Sequence, residues 1–352
     1  MARKSAYAKA RRREEKIRAL KHTLRLIGVC LLALVLFGGF VIQFAGGQGI
    51  VPTWGQLYER LGFADRALNS APAQDGATNV TVLDVGQGDA VLIRQNGACC
   101  LIDAGDYDHR ETLLQNLRQL GVTKLDLLVM THPHGDHIGG MWTLVNELSV
   151  TRVLLPDLSL VPSDSILLAR LLSLLERENI PALTAKTGDT YPLGEGELKV
   201  LLAGVAPDPE ETDATADETE NNTSLCLSFT AGSFVFLDTG DAEAAEEAAL
   251  VATGQDLRCT LMKAGHHGSY TSNTDVLLDA ARPKAVAISC GLNNDYGHPH
   301  NAALRRMQAA GAAIYRTDQL GSICFTPSGD GVDVQYTNQE QAAPGSELQP
   351  AA

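Results

Sequence analysis

Seven cysteines in 352 residues, none paired at the spacing of a thiolate zinc site, give no basis for a disulfide framework or a cysteine-held metal. Most sit inside apolar strand-like runs, such as Leu225-Cys226-Leu227 and Ile288-Ser289-Cys290, and read as buried free thiols. No repeat at a solenoid period is present, which excludes a stacked array. Basic residues are scarce beyond the N-terminus. Residues 1–25 hold ten Lys or Arg against Glu14 and Glu15, so the remainder carries 18 basic and 40 acidic residues, a formal charge of −22. Such a surface repels polyanions unless a local patch or bound cations reverse the sign at the site. Histidine is missing from the whole interval between His137 and His266.

Directly after the basic stretch, Leu26 to Ala45 is apolar apart from glycines and Gln43, about long enough to cross a bilayer as a helix. The positive-inside rule places residues 1–25 in the cytoplasm and everything after Gly46 outside. A cleaved signal peptide is the rival reading. Its charged region would be unusually long, its apolar core is too extended, and Phe44-Ala45-Gly46-Gly47 is a poor cleavage site. The expectation is therefore a single-pass signal anchor over 26–45 at the cell membrane, a stalk over 46–78, and an extracytoplasmic domain over 79–327. A partly disordered tail over 328–352 follows, and Pro207 to Asn222, with seven acidic residues and almost nothing apolar, reads as a solvated loop.

From Asn79 the pattern changes to short apolar or β-branched runs ended by Gly and Asp, which predict strands at Val80–Leu83, Ala90–Ile93, Cys100–Ile102, Leu125–Met130, Val153–Leu155, Leu198–Leu202, Leu225–Phe229, Phe234–Leu237, Leu257–Lys263, Ala285–Ile288, Ala313–Tyr315 and Ile323–Phe325. Helical spacing falls at 110–120, 140–148, 164–178, 242–251, 274–281 and 301–309. This interleaving suits two layers of sheet with helices outside better than a doubly wound sheet.

Seven of nine histidines fall in three short clusters: His132, His134 and His137; His266 and His267; His298 and His300. Each follows a strand-like run, where convergent loops build sites. In an extended turn His132 and His134 project to one side and can grip one metal, while Asp136 and His137, displaced by the turn, can serve a second. Imidazole and carboxylate suit zinc, with manganese or iron as alternatives. Since adjacent side chains on extended backbone point apart, one of His266 and His267 binds metal, with His267 favoured and His266 left to orient a ligand or face substrate.

Thr131-His132-Pro133-His134-Gly135-Asp136-His137 resembles the H-x-H-x-D-H signature of the metallo-β-lactamase fold. Leu101-Ile102-Asp103-Ala104-Gly105 is similar to that family's first motif, and Phe236-Leu237-Asp238-Thr239-Gly240-Asp241 to its Gly-Asp motif. The resemblance implies an α+β fold, an αββα sandwich, preceded here by one transmembrane helix. It further implies that Asp103 buttresses the metal loop, that Asp241 bridges two zinc ions, and that Asp238 is structural. With no histidine before His266, His267 would complete the first zinc beside His132 and His134. His298 would complete the second with Asp136, His137 and Asp241.

Leu83-Asp84-Val85-Gly86-Gln87-Gly88-Asp89-Ala90, His266-His267-Gly268-Ser269 with Thr271-Ser272-Asn273, and Tyr296-Gly297-His298-Pro299-His300 together resemble the metal-dependent domain of ComEC-type DNA-uptake proteins. That likeness implies a phosphodiesterase or nuclease in which Asp136 or Asp241 orients water. His300 either donates a proton or starts the helix after it. Asp84 and Asp89 stand near the metals, and Ser269, Ser272, Asn293 and Asn294 offer neutral donors for phosphate oxygens. DNA, a small or cell-wall phosphodiester, and a non-catalytic binding role with a decayed metal site are the competing readings, whereas β-lactams fit least. A single span, unlike that family's many-span channel, argues against transport by this chain alone.

Overall fold

A computed structural model describes residues 77–160, 165–206 and 215–338. The segments read as basic region, membrane anchor and most of the stalk therefore lie outside the described residues. Among the described residues, no helix is long and apolar enough to cross a membrane.

The first half of the chain runs β1 (Thr78–Val82), β2 (Val91–Gln95), β3 (Ala98–Ile102), α1 (Arg110–Gln119), β4 (Lys124–Leu125), β5 (Leu127–Val129), α2 (Gly135–Ile138), α3 (Met141–Glu147), β6 (Ser149–Val150), β7 (Val153–Leu155), α4 (Ile166–Arg177) and β8 (Ala182–Thr184). The second half runs β9 (Thr190–Leu193), β10 (Gly196–Ala203), α5 (Ala216–Asn221), β11 (Leu225–Ala231), β12 (Phe234–Asp238), α6 (Ala244–Ala252), β13 (Leu261–Lys263), a 3₁₀ turn (Gly265–Gly268), α7 (Asp275–Ala281), β14 (Ala285–Ile288), α8 (Asn301–Ala309), β15 (Ala313–Arg316), α9 (Thr317–Leu320), β16 (Ile323–Ser328) and β17 (Gly331–Tyr336).

One large sheet has the order β17-β16-β1-β2-β3-β5-β7-β8, the other β15-β14-β13-β12-β11-β10-β9, and β4 and β6 form a separate two-stranded sheet. Strand alternation explains how the two large sheets stack. In β2, Val91 and Ile93 join a core that also holds Phe229, Phe236, Leu261 and Ala287 of the other sheet, while Leu92 turns the opposite way to meet Leu113 and Leu117 of α1 and Leu171 of α4. In β14, Ala285 and Ala287 face the shared core, and Val286 and Ile288 face Leu250 of α6 and Leu277 of α7. Both faces of each sheet are thus covered, and the αββα sandwich follows. Six cysteines, all free, lie in the described part, and all but the half-buried Cys99 are buried.

Helix signals follow ordinary capping chemistry. α4 buries Leu168, Leu171, Leu174 and Leu175 on one side, and the Ser165 hydroxyl accepts the Leu168 N–H at its start. The start of the expected tail and the end of the segment read as a solvated loop are built in. Residues 331–336, placed in the tail, pair antiparallel with β16 and extend the first sheet. The end of the acidic segment forms α5, whose start is capped by Thr215. Charge density conceals the helix, because half of its residues are acidic and only its last turn meets the site.

Candidate metal centre

The parallel strands β3, β5, β12, β13 and β14 end at one edge of the sandwich, and the chemistry-bearing residues sit just past those ends, as open α/β sheets generally arrange. Asp103 follows β3, His132 to His137 follow β5, Asp241 follows β12, His266 and His267 follow β13, and His298 follows β14. The β1–β2 loop is tied into this edge: the Asp89 N–H donates to Asp136 O (3.1 Å), and Ser289 Oγ donates to Gly88 O (2.7 Å). A Cβ on Gly88, whose φ is +144°, would stand 2.5 Å from Asp136 O, so this approach needs glycine.

The metal loop is held from behind. Asp103 Oδ1 accepts from Thr131 N (2.9 Å), and its Oδ2 accepts from Thr131 Oγ1 (2.6 Å) and His137 Nδ1 (2.7 Å). Having given its proton to Asp103, the Thr131 hydroxyl accepts from His132 Nδ1 (3.1 Å). His134 Nε2 faces Glu220 Oε2 of α5 at 3.4 Å, and His267 Nδ1 donates to Ser289 O (3.1 Å). Four imidazoles thus have one nitrogen engaged by an oxygen, which sets the tautomer and leaves the other nitrogen for the site. His132 Nε2 and His134 Nδ1 face each other at 3.0 Å. His137 Nε2 and His267 Nε2 converge on Asp241 Oδ2 at 3.2 and 3.5 Å, with Asp136 Oδ2 3.2 Å from His267 Nε2.

Candidate ligand atoms of Asp89, His137, Asp241 and His267 all lie within 4.8 Å of one another, and all four residues are buried. Asp89 Oδ1, His137 Nε2 and His267 Nε2 are buried without a hydrogen-bond partner, as is Asp241 Oδ1, which faces the Lys263 ammonium at 3.8 Å. Orphaned polar atoms are costly, about 1–3 kcal/mol each, and a divalent cation satisfies lone pairs of this kind together. Residue types and unsatisfied atoms both fit a metal.

The electrostatics agree. Burial alone would push the Asp241 carboxyl up, yet His137, His267 and His266 hold it far below the usual carboxylate range. Burial likewise opposes protonation of His267, but Asp241 and Asp89 raise it to about 10. His137 is raised by Asp241 and Asp103 against the same burial. Burial and the neighbouring His137 push His132 down. These carboxylates hold positive charge at the site, and protons on two imidazoles stand where a cation would.

Several expectations change in detail. The His266-His267 backbone is not extended: both residues are left-handed, with φ of 49° and 52°, so the alternation argument does not apply. His267 nevertheless enters the cluster, while the ring of half-buried His266 faces Glu243 Oε1 (3.3 Å) and stands 3.9 Å from Asp241. His267 lies against Asp136 and Asp241, the carboxylates assigned to the second ion, and not beside the His132–His134 pair. His298 lacks the pattern of the other four. Gln87 Oε1 accepts from Gly291 N, which turns the Gln87 amide nitrogen toward His298 Nδ1 (3.4 Å) and leaves that imidazole's proton on Nε2. Burial and the neighbouring His267 push His298 down to about 3.

His300 starts α8, and its Nδ1 accepts the Tyr270 N–H (3.1 Å), so it also anchors the loop after the 3₁₀ turn. Asn294 is spent within its own loop, bonding Gly291 O, His298 O and His298 N. Asn293 is exposed in a left-handed turn, Ser269 bonds Thr271, and Ser272 is fully buried. Asn294 and Ser269 hold their loops, whereas the buried Ser272 Oγ has no hydrogen-bond partner. Asp84 accepts the Gly86 N–H and shapes the β1–β2 turn, and Asp238 accepts the Gly240 N–H at the end of β12.

Lys263, Ser289, Glu220 and Ser224, whose Oγ accepts the Asp241 N–H (3.0 Å), carry no motif and are missed by sequence reasoning. Lys263 left one signal: a single cation at the end of the apolar strand Leu261-Met262-Lys263, immediately before the histidine turn.

Residues 83–291 match the metallo-beta-lactamase superfamily. The chain belongs to that superfamily. As a superfamily member it is a metal-dependent hydrolase by fold and site, and its curated relatives include ComEC-type competence proteins. It is 29% identical over 274 residues to ComE operon protein 3 of Bacillus subtilis, covering 72% of this chain and 34% of the relative. To competence protein ComA of Neisseria gonorrhoeae it is 29% identical over 312 residues, covering 87% of this chain and 40% of the relative. The chain therefore spans well under half the length of these relatives. Among solved structures, the metallo-beta-lactamase fold protein YhfI of Bacillus subtilis matches with a TM-score of 0.47 and 12% identity, over 68% of this chain and 96% of that one.

Proposed function

We propose that this chain is a phosphodiesterase that cleaves DNA outside the cell membrane, held there by residues 26–45 and using two zinc ions. The observation that carries the hydrolytic reading is the convergence of His137 Nε2 and His267 Nε2, both buried and without hydrogen-bond partners, on Asp241. DNA as substrate is supported by the relatives, whose names are those of competence and recombination proteins.

Bound divalent ions would make water acidic enough to react near neutral pH and would offset the charge on a phosphoryl group. The chain's own part is positional. Asp89, His132, His134, Asp136, His137, Asp241 and His267 would hold the ions. Asp103, Thr131, Glu220 and Ser289 keep the imidazoles in the tautomers required. His298, with its proton on Nε2, is placed to donate to a substrate oxygen, and His300 keeps the adjacent loop in position.

A smaller phosphodiester is the second reading, favoured by charge. The part of the chain beyond residue 25 carries −22, and Arg306, near the histidine turn, is committed to the carbonyls of Tyr270, Ser272 and Asn273. Lys263 is buried in the carboxylate cluster. The purified full chain, loaded with zinc, should be assayed against single-stranded DNA, double-stranded DNA and bis(p-nitrophenyl) phosphate. Cleavage of either DNA is expected. Turnover of the small diester alone would reject the nuclease, and turnover of none would reject phosphodiester chemistry.

A further inference from the structure

Lys263 is 1% exposed, and its ammonium is met by oxygens. It contacts Asp89 Oδ2, bonds Gly240 O at 3.0 Å, and stands 3.8 Å from both Asp238 Oδ1 and Asp241 Oδ1. Two of these carboxylates also face the histidines. Asp241 presents Oδ2 to His137 (3.2 Å) and His267 (3.5 Å), and Asp89 has Oδ1 3.3 Å from His267 Nδ1. The ammonium therefore meets the Asp241 oxygen turned away from the imidazoles, and it meets Asp89 at Oδ2, which itself lies 4.0 Å from His137 Nδ1. It also ties the end of β13 to the β12–Asp241 turn through Gly240 and to the β1–β2 loop through Asp89.

We propose that Lys263 is a positioning residue of the metal centre: its ammonium fixes the orientation of Asp241 and Asp89 so that each presents its remaining oxygen to the histidine side, where the cation binds. The proposal rests on reading the cluster as a metal centre. A rival explanation gives Lys263 only the task of neutralising buried negative charge, since a buried carboxylate group without a counter-charge is strongly destabilising. The two differ in what a charge-balanced replacement restores. Asp238 touches the ammonium but none of the histidines, so Lys263→Met combined with Asp238→Asn removes one charge of each sign and leaves Asp241 and Asp89 intact.

The test is isothermal titration of the chelator-stripped full chain with Zn²⁺, alongside its melting temperature, for the native protein, Lys263→Met, and Lys263→Met/Asp238→Asn. A positioning role predicts that Lys263→Met binds about ten- to a hundredfold more weakly, the usual loss when a residue orienting a ligand is removed. The double variant should recover melting temperature but keep the weakened affinity. Native affinity in either folded variant overturns the proposal, because charge balance then suffices. Failure of both variants to fold also overturns it, since Lys263 would then be structural. A native chain that takes up no zinc is a different failure: it rejects the metal centre itself.

Discussion

Asp103→Asn is the most informative single substitution for the metal loop. Asp103 has a φ of 59°, a left-handed conformation that asparagine adopts as readily as aspartate, so the backbone is undisturbed. The change acts on three donors. Thr131 N, Thr131 Oγ1 and His137 Nδ1 all give protons to this carboxylate, at 2.9, 2.6 and 2.7 Å. An amide has one oxygen to offer. If its nitrogen faces His137, it donates to Nδ1 and forces the imidazole proton onto Nε2, the atom aimed at Asp241. If the amide is reversed, its nitrogen meets the Thr131 N–H, donor against donor. Either way one buried bond is lost, at about 1–3 kcal/mol.

The first orientation also removes the lone pair needed by a cation, so affinity for zinc should fall about ten- to a hundredfold. Calorimetric titration of stripped Asp103→Asn, with thermal melts of stripped and loaded protein, reads both effects. Binding as tight as in the native chain would refute the view that Asp103 sets the His137 tautomer.

Metal binding should release protons. In the metal-free chain the carboxylates raise His137 and hold His267 up to about 10, so both imidazoles are protonated at pH 7 and a cation must displace those protons. Affinity should then rise with pH through neutrality, by about tenfold per unit for each proton displaced, and flatten as pH passes the His267 value. Titrations in buffers of different ionisation heat count the protons; none released would contradict the assignment. Gly88→Ala should cost about 1–3 kcal/mol from backbone conformation alone, and more from its clash with Asp136 O, lowering both melting temperature and zinc uptake. Phe236→Ala, between the two sheets, should cost about 3–5 kcal/mol in chemical denaturation and leave the metal stoichiometry of the folded fraction unchanged.

Legibility of the fold follows which signals are local. Ala285–Ile288 and Asn301–Ala309 are read with their observed bounds, because period and end signals coincide there. The run Leu125–Met130 is split by Asp126, whose carboxylate accepts the Cys99 N–H, so β4 and β5 join different sheets. Strand β8 carries too little apolar alternation to be seen, and β9 alternates over only four residues, one of them Pro192. For the site, ligand types and clusters are visible in sequence, but their grouping is not. Whether His267 stands by His132 or by Asp136 depends on a left-handed turn of two histidines. Lys263 and Glu220 are invisible because their partners, Asp89 and His134, are 174 and 86 positions away, the former a separation that only the folded sheets close.

Metal content per chain tests the central claim most directly. Native protein and Asp241→Ala, each stripped, exposed to excess zinc and freed of unbound ion, should be compared by elemental analysis. The account predicts stoichiometric zinc in the native chain and a clear loss in Asp241→Ala, with the variant still folded. Native protein that retains no zinc, or Asp241→Ala that retains as much, would contradict it.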